Sequence, residues 1–201
     1  GLIVGEHFHD TYNIPFPNIG VITGPCHAEE VALERLSYLT IACADEKKAK
    51  IVASNLSSHY IKTKTSDDII GTEYAAVLKN IYAIVCGLAK ALNVGENTMS
   101  MIMTRSLAEM SRFAVHFGAN PMTFLGLAGM GDLIATCTSP LSRNYRVGFA
   151  IGSGQNLDEA IGGVGEVAEG VNTLKMVVGE AHKHGLYMPL AEGLSKLLFD
   201  G

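Results

Sequence analysis

From Leu78 onward, apolar residues recur at steps of three and four: Leu78, Ile81, Val85, Leu88 and Leu92. That spacing lines one face of an α-helix and is incompatible with the two-residue period of a strand. The uninterrupted apolar stretch 81–89 lies between Asn80 and Lys90 and reads as a core helix. Ser66, Asp67 and Asp68 ahead of it supply side-chain oxygens for an N-cap. A second helix is predicted over 97–117, with Met99, Ile102, Ser106, Met110, Phe113 and Phe117 on one stripe and with Gly118 and Pro121 to stop it. Shorter helical patterns follow at 132–135, 142–151, 157–161, 170–184 and 190–199, and Gly185 with Pro189 ends the penultimate one. A chain with only helical periods after residue 69 must bury helix against helix.

The residues before that point read differently. A β-rich run at 18–23 ends on Gly24-Pro25, a turn signal. A helical pattern over 27–36 follows, then an apolar run at 39–43, then a helix over 45–56 with Asp45 at its N-cap. Residues 59–64 alternate and suit the edge of a sheet. Strands separated by helical segments predict βαβ units. Two or three strands are too few for a free-standing parallel sheet, whose faces both need cover. The expected fold is mostly α: residues 1–68 as the tail of a larger α/β domain, and residues 69–201 as an all-helical domain. The boundary is expected within 66–71.

Of the 201 residues, 48% are hydrophobic and 17% charged, which is a globular composition. A formal net charge of −5 argues against a general nucleic-acid binder. No uninterrupted apolar run approaches the ~18 residues of a membrane span. Cys26, Cys43, Cys86 and Cys137 are scattered without a CxxC pair or a zinc-like Cys/His spacing, so reduced thiols, no metal and a cytoplasmic setting are expected. The chain opens on Gly1 without a signal-peptide pattern, and the expectation is a piece of a longer protein.

The chemistry-bearing stretch is 127–144, LAGMGDLIATCTSPLSRN. Its glycines permit close backbone approach. In a helix Asp132 and Thr136 share one face. Ser142, Arg143 and Asn144 then offer a hydroxyl, a guanidinium fork and an amide, a set that suits a phosphate. The same residues are compatible with a helix-loop-helix corner carrying a solvated arginine. Lys79 has two readings as well: an ammonium reaching water from mid-helix, or a functional lysine in a dry cleft. Residues 163–168 satisfy GxGxxA, but the residues before them look helical rather than β, so an inter-helix loop is the better reading. The seven histidines form no HExxH pattern, and Met99, Met101 and Met103 read as core filler.

Five ordered segments resemble the bacterial type of NAD(P)-dependent sn-glycerol-3-phosphate dehydrogenase. Residues 24–32 (GPCHAEEVA) resemble the family's GPSFAxEVA, and residues 68–80 (DIIGTEYAAVLKN) its DxxGxExxxxLKN helix. TRSLAEM at 104–110, the 127–144 stretch and VAEGV at 167–171 follow in the family's order. The resemblance implies reversible interconversion of sn-glycerol 3-phosphate and dihydroxyacetone phosphate by an oxidoreductase using NAD or NADP. It implies Lys79 as proton acceptor at the C2 hydroxyl, with Asn80, Asp132 and Thr136 as its catalytic partners. It implies a substrate site of Gly24, Cys26, Lys79, Asp132, Ser142, Arg143 and Asn144, with Arg143 as phosphate clamp. Ala28, Arg143, Val167 and Glu169 would face the cofactor. It implies that residues 1–68 are the α/β remnant of a truncated Rossmann-like, dinucleotide-binding domain and residues 69–201 the all-helical substrate and catalytic domain, and a homodimer is a further implication.

Two departures stand out. Cys26 replaces the family's Ser or Thr, and a thiol is the weaker hydrogen-bond donor; His27 replaces an aromatic. The Rossmann glycine loop is absent, as is a family lysine that would fall at the start of the chain. The expectation is that these 201 residues alone do not turn over. The alternatives are a related helical-domain dehydrogenase for another hydroxy acid, or a non-catalytic helical dimerisation module.

Overall fold

The computed structural model of the chain describes residues 3–165 and 168–200. Contacts divide it into two compact units, Gly1–Ala76 with Ala114–Asp132, and Val77–Phe113 with Leu133–Gly201.

The first unit holds a three-stranded sheet in the order β1 (Gly20–Thr23), β2 (Ser37–Cys43), β3 (Ile61–Ser66). β2 and β3 pair in parallel, Ser37 opposite Ile61, across helix α3 (Glu46–Leu56). Asp45 caps α3 as expected, its carboxylate accepting the Lys47 and Lys48 backbone N–H groups. Ile41, Cys43, Ala49 and Ala53 form the core between sheet and helix. β1 departs from the βαβ expectation and runs antiparallel to β2, with Thr23 opposite Thr40. The cause lies in the connection. Helix α2 covers only Ala28–Ala32, shorter than the 27–36 pattern, and Glu34 at φ 54° turns the chain back on itself. Five helical residues rise only ~7.5 Å, too little to carry the chain back for a parallel crossover.

Helix α1 (Val4–Tyr12), unforeseen in the sequence, begins this unit. Its Gly5 N–H donates to both carboxylate oxygens of buried Glu73, at 3.1 and 3.0 Å. Asp68 stands at the head of helix α4 (Ile69–Ala91), accepts the Gly71 N–H, and ties in Asn120 and Thr123 from the returning segment. In that segment Gly118, at φ 96°, ends helix α5 (Glu96–His116). A 3₁₀ turn over Pro121–Leu125 and a π-helical turn over Leu127–Gly131 then lead to Asp132.

Among the described residues the regular elements of the second unit are all helices. It contains most of α4 and α5, then α6 (Asp132–Thr138) from Leu133 on, α7 (Arg143–Gly152), α8 (Leu157–Val164), α9 (Glu169–His184) and α10 (Pro189–Phe199). Leu78, Ile81, Tyr82, Ile84, Met110 and Phe113 are fully buried, as the helical period requires, whereas Leu92 lies beyond α4 and is exposed. α4 is long and apolar enough to span a membrane by length and composition, yet 67% of its most apolar window is buried inside the fold. That is the core helix expected from the sequence.

The seam between α4 and α7 is made of backbone. A Cβ on Gly87 would strike the Tyr145 carbonyl, one on Gly148 the Ile84 carbonyl, and one on Gly152 would lie 2.7 Å from the Leu88 carbonyl. Glu109 of α5 ties the same helix to α10. Its buried carboxylate accepts the Tyr82 hydroxyl at 3.0 Å and the Leu190 and Ala191 N–H groups at 2.8 and 3.2 Å, satisfying the open N-terminus of α10.

Candidate functional site

Two groups of residues emerge, one in each unit. In the first, β1 ends at Thr23 and the chain turns through Gly24 at φ 142°. A side chain there would lie 2.5 Å from the Tyr38 carbonyl, so only glycine fits. Pro25 packs against the π-helical turn, 3.6 Å from where a Gly131 Cβ would stand. That turn is tight because Gly129 rests directly on the Phe124 backbone. The result delivers Asp132, 3% exposed, to the end of β1, where its Oδ2 accepts the Thr23 hydroxyl at 3.3 Å. Cys26 sits beside this carboxylate, partly exposed. Burial pushes its thiol pKa up, a hydrogen bond with Ser37 opposes the shift, and the Asp132 charge adds to it. The thiol is therefore the resting form. Ala28 opens α2 and is exposed.

In the helical unit, Lys79 and Asn80 lie on α4, both partly buried. Thr136, four residues after Asp132 on α6, is buried. Ser142 caps α7, its hydroxyl accepting the Tyr145 N–H. This gives the serine a structural task that its place in the Ser-Arg-Asn run did not announce. Buried Asn144 is occupied at both ends of its amide: Oδ1 accepts the Gly170 N–H at 2.9 Å, and Nδ2 donates to Glu169 at 3.5 Å. Arg143 donates to Glu169 Oε1 at 2.7 Å, with both side chains substantially exposed. An exposed pair of this kind is worth only ~0–1 kcal/mol and exchanges readily for another anion.

Gly170, quoted only within VAEGV and given no role there, closes the arrangement. A Cβ there would stand 2.6 Å from the Asn80 carbonyl and 2.8 Å from Asn144 Oδ1. The start of α9 therefore lies directly on the backbone beside Lys79. Lys79-Asn80, Arg143-Asn144 and Glu169-Gly170 thus converge from three helices. Val167 lies outside the described residues. The GxGxxA run proves to have helix α8 before it, not a strand, so it lacks the context of a pyrophosphate loop. Among the described residues no group of three His, Cys, Asp or Glu side chains is placed to hold a metal ion.

A small mixed sheet that continues into a helical unit bearing a lysine, an arginine-glutamate pair and a buried amide belongs to the class of α/β proteins with an appended all-helical domain. The description "NAD-dependent glycerol-3-phosphate dehydrogenase C-terminus" matches residues 68–201, and the corresponding N-terminus description matches residues 3–49. The chain belongs to the NAD-dependent glycerol-3-phosphate dehydrogenase family. A glycerol-3-phosphate dehydrogenase [NAD(P)+] of Pseudomonas fluorescens (strain Pf0-1) is 54% identical over 93% of this chain and 53% of its own length. One from Alcanivorax borkumensis is 50% identical over 100% of this chain and 58% of its own. The crystal structure of glycerol-3-phosphate dehydrogenase from Coxiella burnetii superposes with a TM-score of 0.87 at 36% identity, over 90% of this chain and 56% of that one. The chain thus spans a little over half the length of these three relatives.

Proposed function

We propose that the full-length protein carrying this chain interconverts sn-glycerol 3-phosphate and dihydroxyacetone phosphate with NAD or NADP. The observation that carries the reading is the convergence of Lys79-Asn80, Arg143-Asn144 and Glu169-Gly170 in the helical unit. In the oxidising direction the C2 hydroxyl loses its proton to the Lys79 amine while C2 loses hydride, and the nicotinamide supplies the hydride acceptor. In the reducing direction the Lys79 ammonium returns the proton to the developing alkoxide and stabilises its charge. Asn80, Asp132 and Thr136 support the reacting carbon. Arg143 exchanges part of its pairing with Glu169 for the substrate phosphate, aided by Ser142 and Asn144. Gly24 and Cys26 border the substrate.

The residues assigned to the cofactor suit it chemically. Glu169 carries a half-exposed carboxylate able to accept from ribose hydroxyls, Arg143 a guanidinium suited to phosphate, and Ala28 and Val167 are small or apolar. Residues 1–68 would then be the end of the dinucleotide-binding domain and 69–201 the substrate domain, a division supported by the two matched segments. A cytoplasmic homodimer completes the reading.

The test is NADH oxidation with dihydroxyacetone phosphate by the chain extended at its N-terminus to the length of its relatives. Wild type should turn over, Lys79→Ala should lose turnover, and Arg143→Ala should raise KM strongly. A wild type that shows no phosphate-dependent turnover would sink the reading.

A further inference from the structure

The geometry points to Thr23 as a positioning residue that sets the orientation of the Asp132 carboxylate. This rests on the dehydrogenase reading above, which places Asp132 beside the reacting carbon. The Gly24-to-Ala32 motif did not include Thr23, which precedes it at the end of the strand. Thr23 is 8% exposed, Asp132 is 3% exposed, and the hydroxyl donates to Oδ2 at 3.3 Å across 109 residues of chain.

Three features make this more than an incidental contact. The carboxylate torsion of an aspartate is soft and roughly two-fold, so packing of the backbone alone does not fix it. The hydroxyl itself is held, because β1 is registered against β2 with Thr23 opposite Thr40, and Gly24 is locked against the Tyr38 carbonyl. The carboxylate's own backbone is held by the π-helical turn that packs on Pro25. Donor and acceptor therefore stand on two rigid pieces, and the hydrogen bond selects one rotation of the carboxylate. A misaimed catalytic partner costs heavily in rate, on the order of 100-fold for ~1 Å of displacement.

The experiment compares wild type, Thr23→Val, Thr23→Ser and Thr40→Val in the N-terminally extended protein, reading kcat and KM separately. Thr23→Val keeps the shape and removes the hydroxyl. It should lower kcat about tenfold or more while leaving the KM for NADH unchanged. Thr23→Ser should restore kcat to within about threefold of wild type, since the donor returns. Thr40→Val, on the partner strand, should leave kcat unchanged. In an Asp132→Asn background, Thr23→Val should add little further loss. Wild-type kcat in Thr23→Val, failure of the serine to rescue, or an equal loss in Thr40→Val would each overturn the assignment. Inactive wild type overturns the dehydrogenase reading instead. The positioning claim is then decided by crystal structures of wild type and Thr23→Val: a rotated Asp132 carboxylate upholds it, an unmoved one rejects it.

Discussion

Replacing Lys79 by Met keeps most of the side chain's apolar reach and removes its proton-carrying nitrogen. The expected result in the extended protein is a kcat reduced ~10²–10⁴-fold, the usual span of general acid-base help. Arg143→Lys keeps charge but loses the planar fork, so substrate KM should rise while kcat changes little. Steady-state kinetics with dihydroxyacetone phosphate checks both. Glu109 provides a pH test. Burial holds its carboxyl above the usual carboxylate range, against the opposing pull of the Leu190 and Ala191 N–H groups, the Tyr82 hydroxyl and Arg112. A raised folded-state value means that this stabilisation is full below pH 4.5 and is lost as pH rises through the folded value. The stability of wild type relative to Glu109→Gln should therefore be greatest near pH 4 and decline toward neutrality, as read by urea melts across that range. At this scale the sequence disclosed residue types and not their employment. Lys79, Asp132 and Arg143 announced chemistry. Nothing in Ser142-Arg143-Asn144 distinguished a ligand-binding amide from a clamp on α9, because the Gly170 N–H that Asn144 accepts lies 26 residues further along the chain, whereas the Ser142 cap is local, its Tyr145 partner only three residues on.

Among the elements, the helices after residue 69 were legible because their apolar period is long and repeated. Their predicted limits lie close to those observed for α5, α7, α9 and α10. Helix α1 was not foreseen: its open N-terminus is satisfied by Glu73, 68 residues away. The π-helical turn before Asp132 was equally hidden, since Gly129 adopts it by resting on Phe124, a contact that periodicity does not encode. Glycines in the helices divide into two kinds that a sequence cannot separate. Gly148→Ala must drive a methyl into the Ile84 carbonyl, and should cost ~1–3 kcal/mol or more. Gly179→Ala meets nothing within 4 Å at an exposed position of α9 and should stabilise by ~0.5–1 kcal/mol. Chemical denaturation of the two variants beside wild type gives both signs in one experiment.

For the whole molecule, the compact units are discontinuous in sequence: Ala114–Asp132 groups with the first 76 residues although helices precede and follow it. A left-to-right reading sees a change of period near residue 69 and has no means of seeing that return. The mixed sheet was half legible, since the α3 crossover fixed β2 and β3 in parallel while the short α2 reversed β1. If Arg143 binds the substrate phosphate, glycerol 3-phosphate at a hundredfold excess over its Kd should stabilise the extended protein by ~2.7 kcal/mol. Arg143→Ala should lose most of that shift at the same concentration, as a thermal melt would register. The glycine seam between α4 and α7 bears on the same pair of residues. Lys79 lies five positions before Ile84, and Arg143 five before Gly148. Carbonyl rests on α-carbon there, with no side chain between them to grow or shrink. The separation of the two backbones that carry Lys79 and Arg143 is thus cut from a single piece of material, and drift at neighbouring positions has no screw by which to reset it.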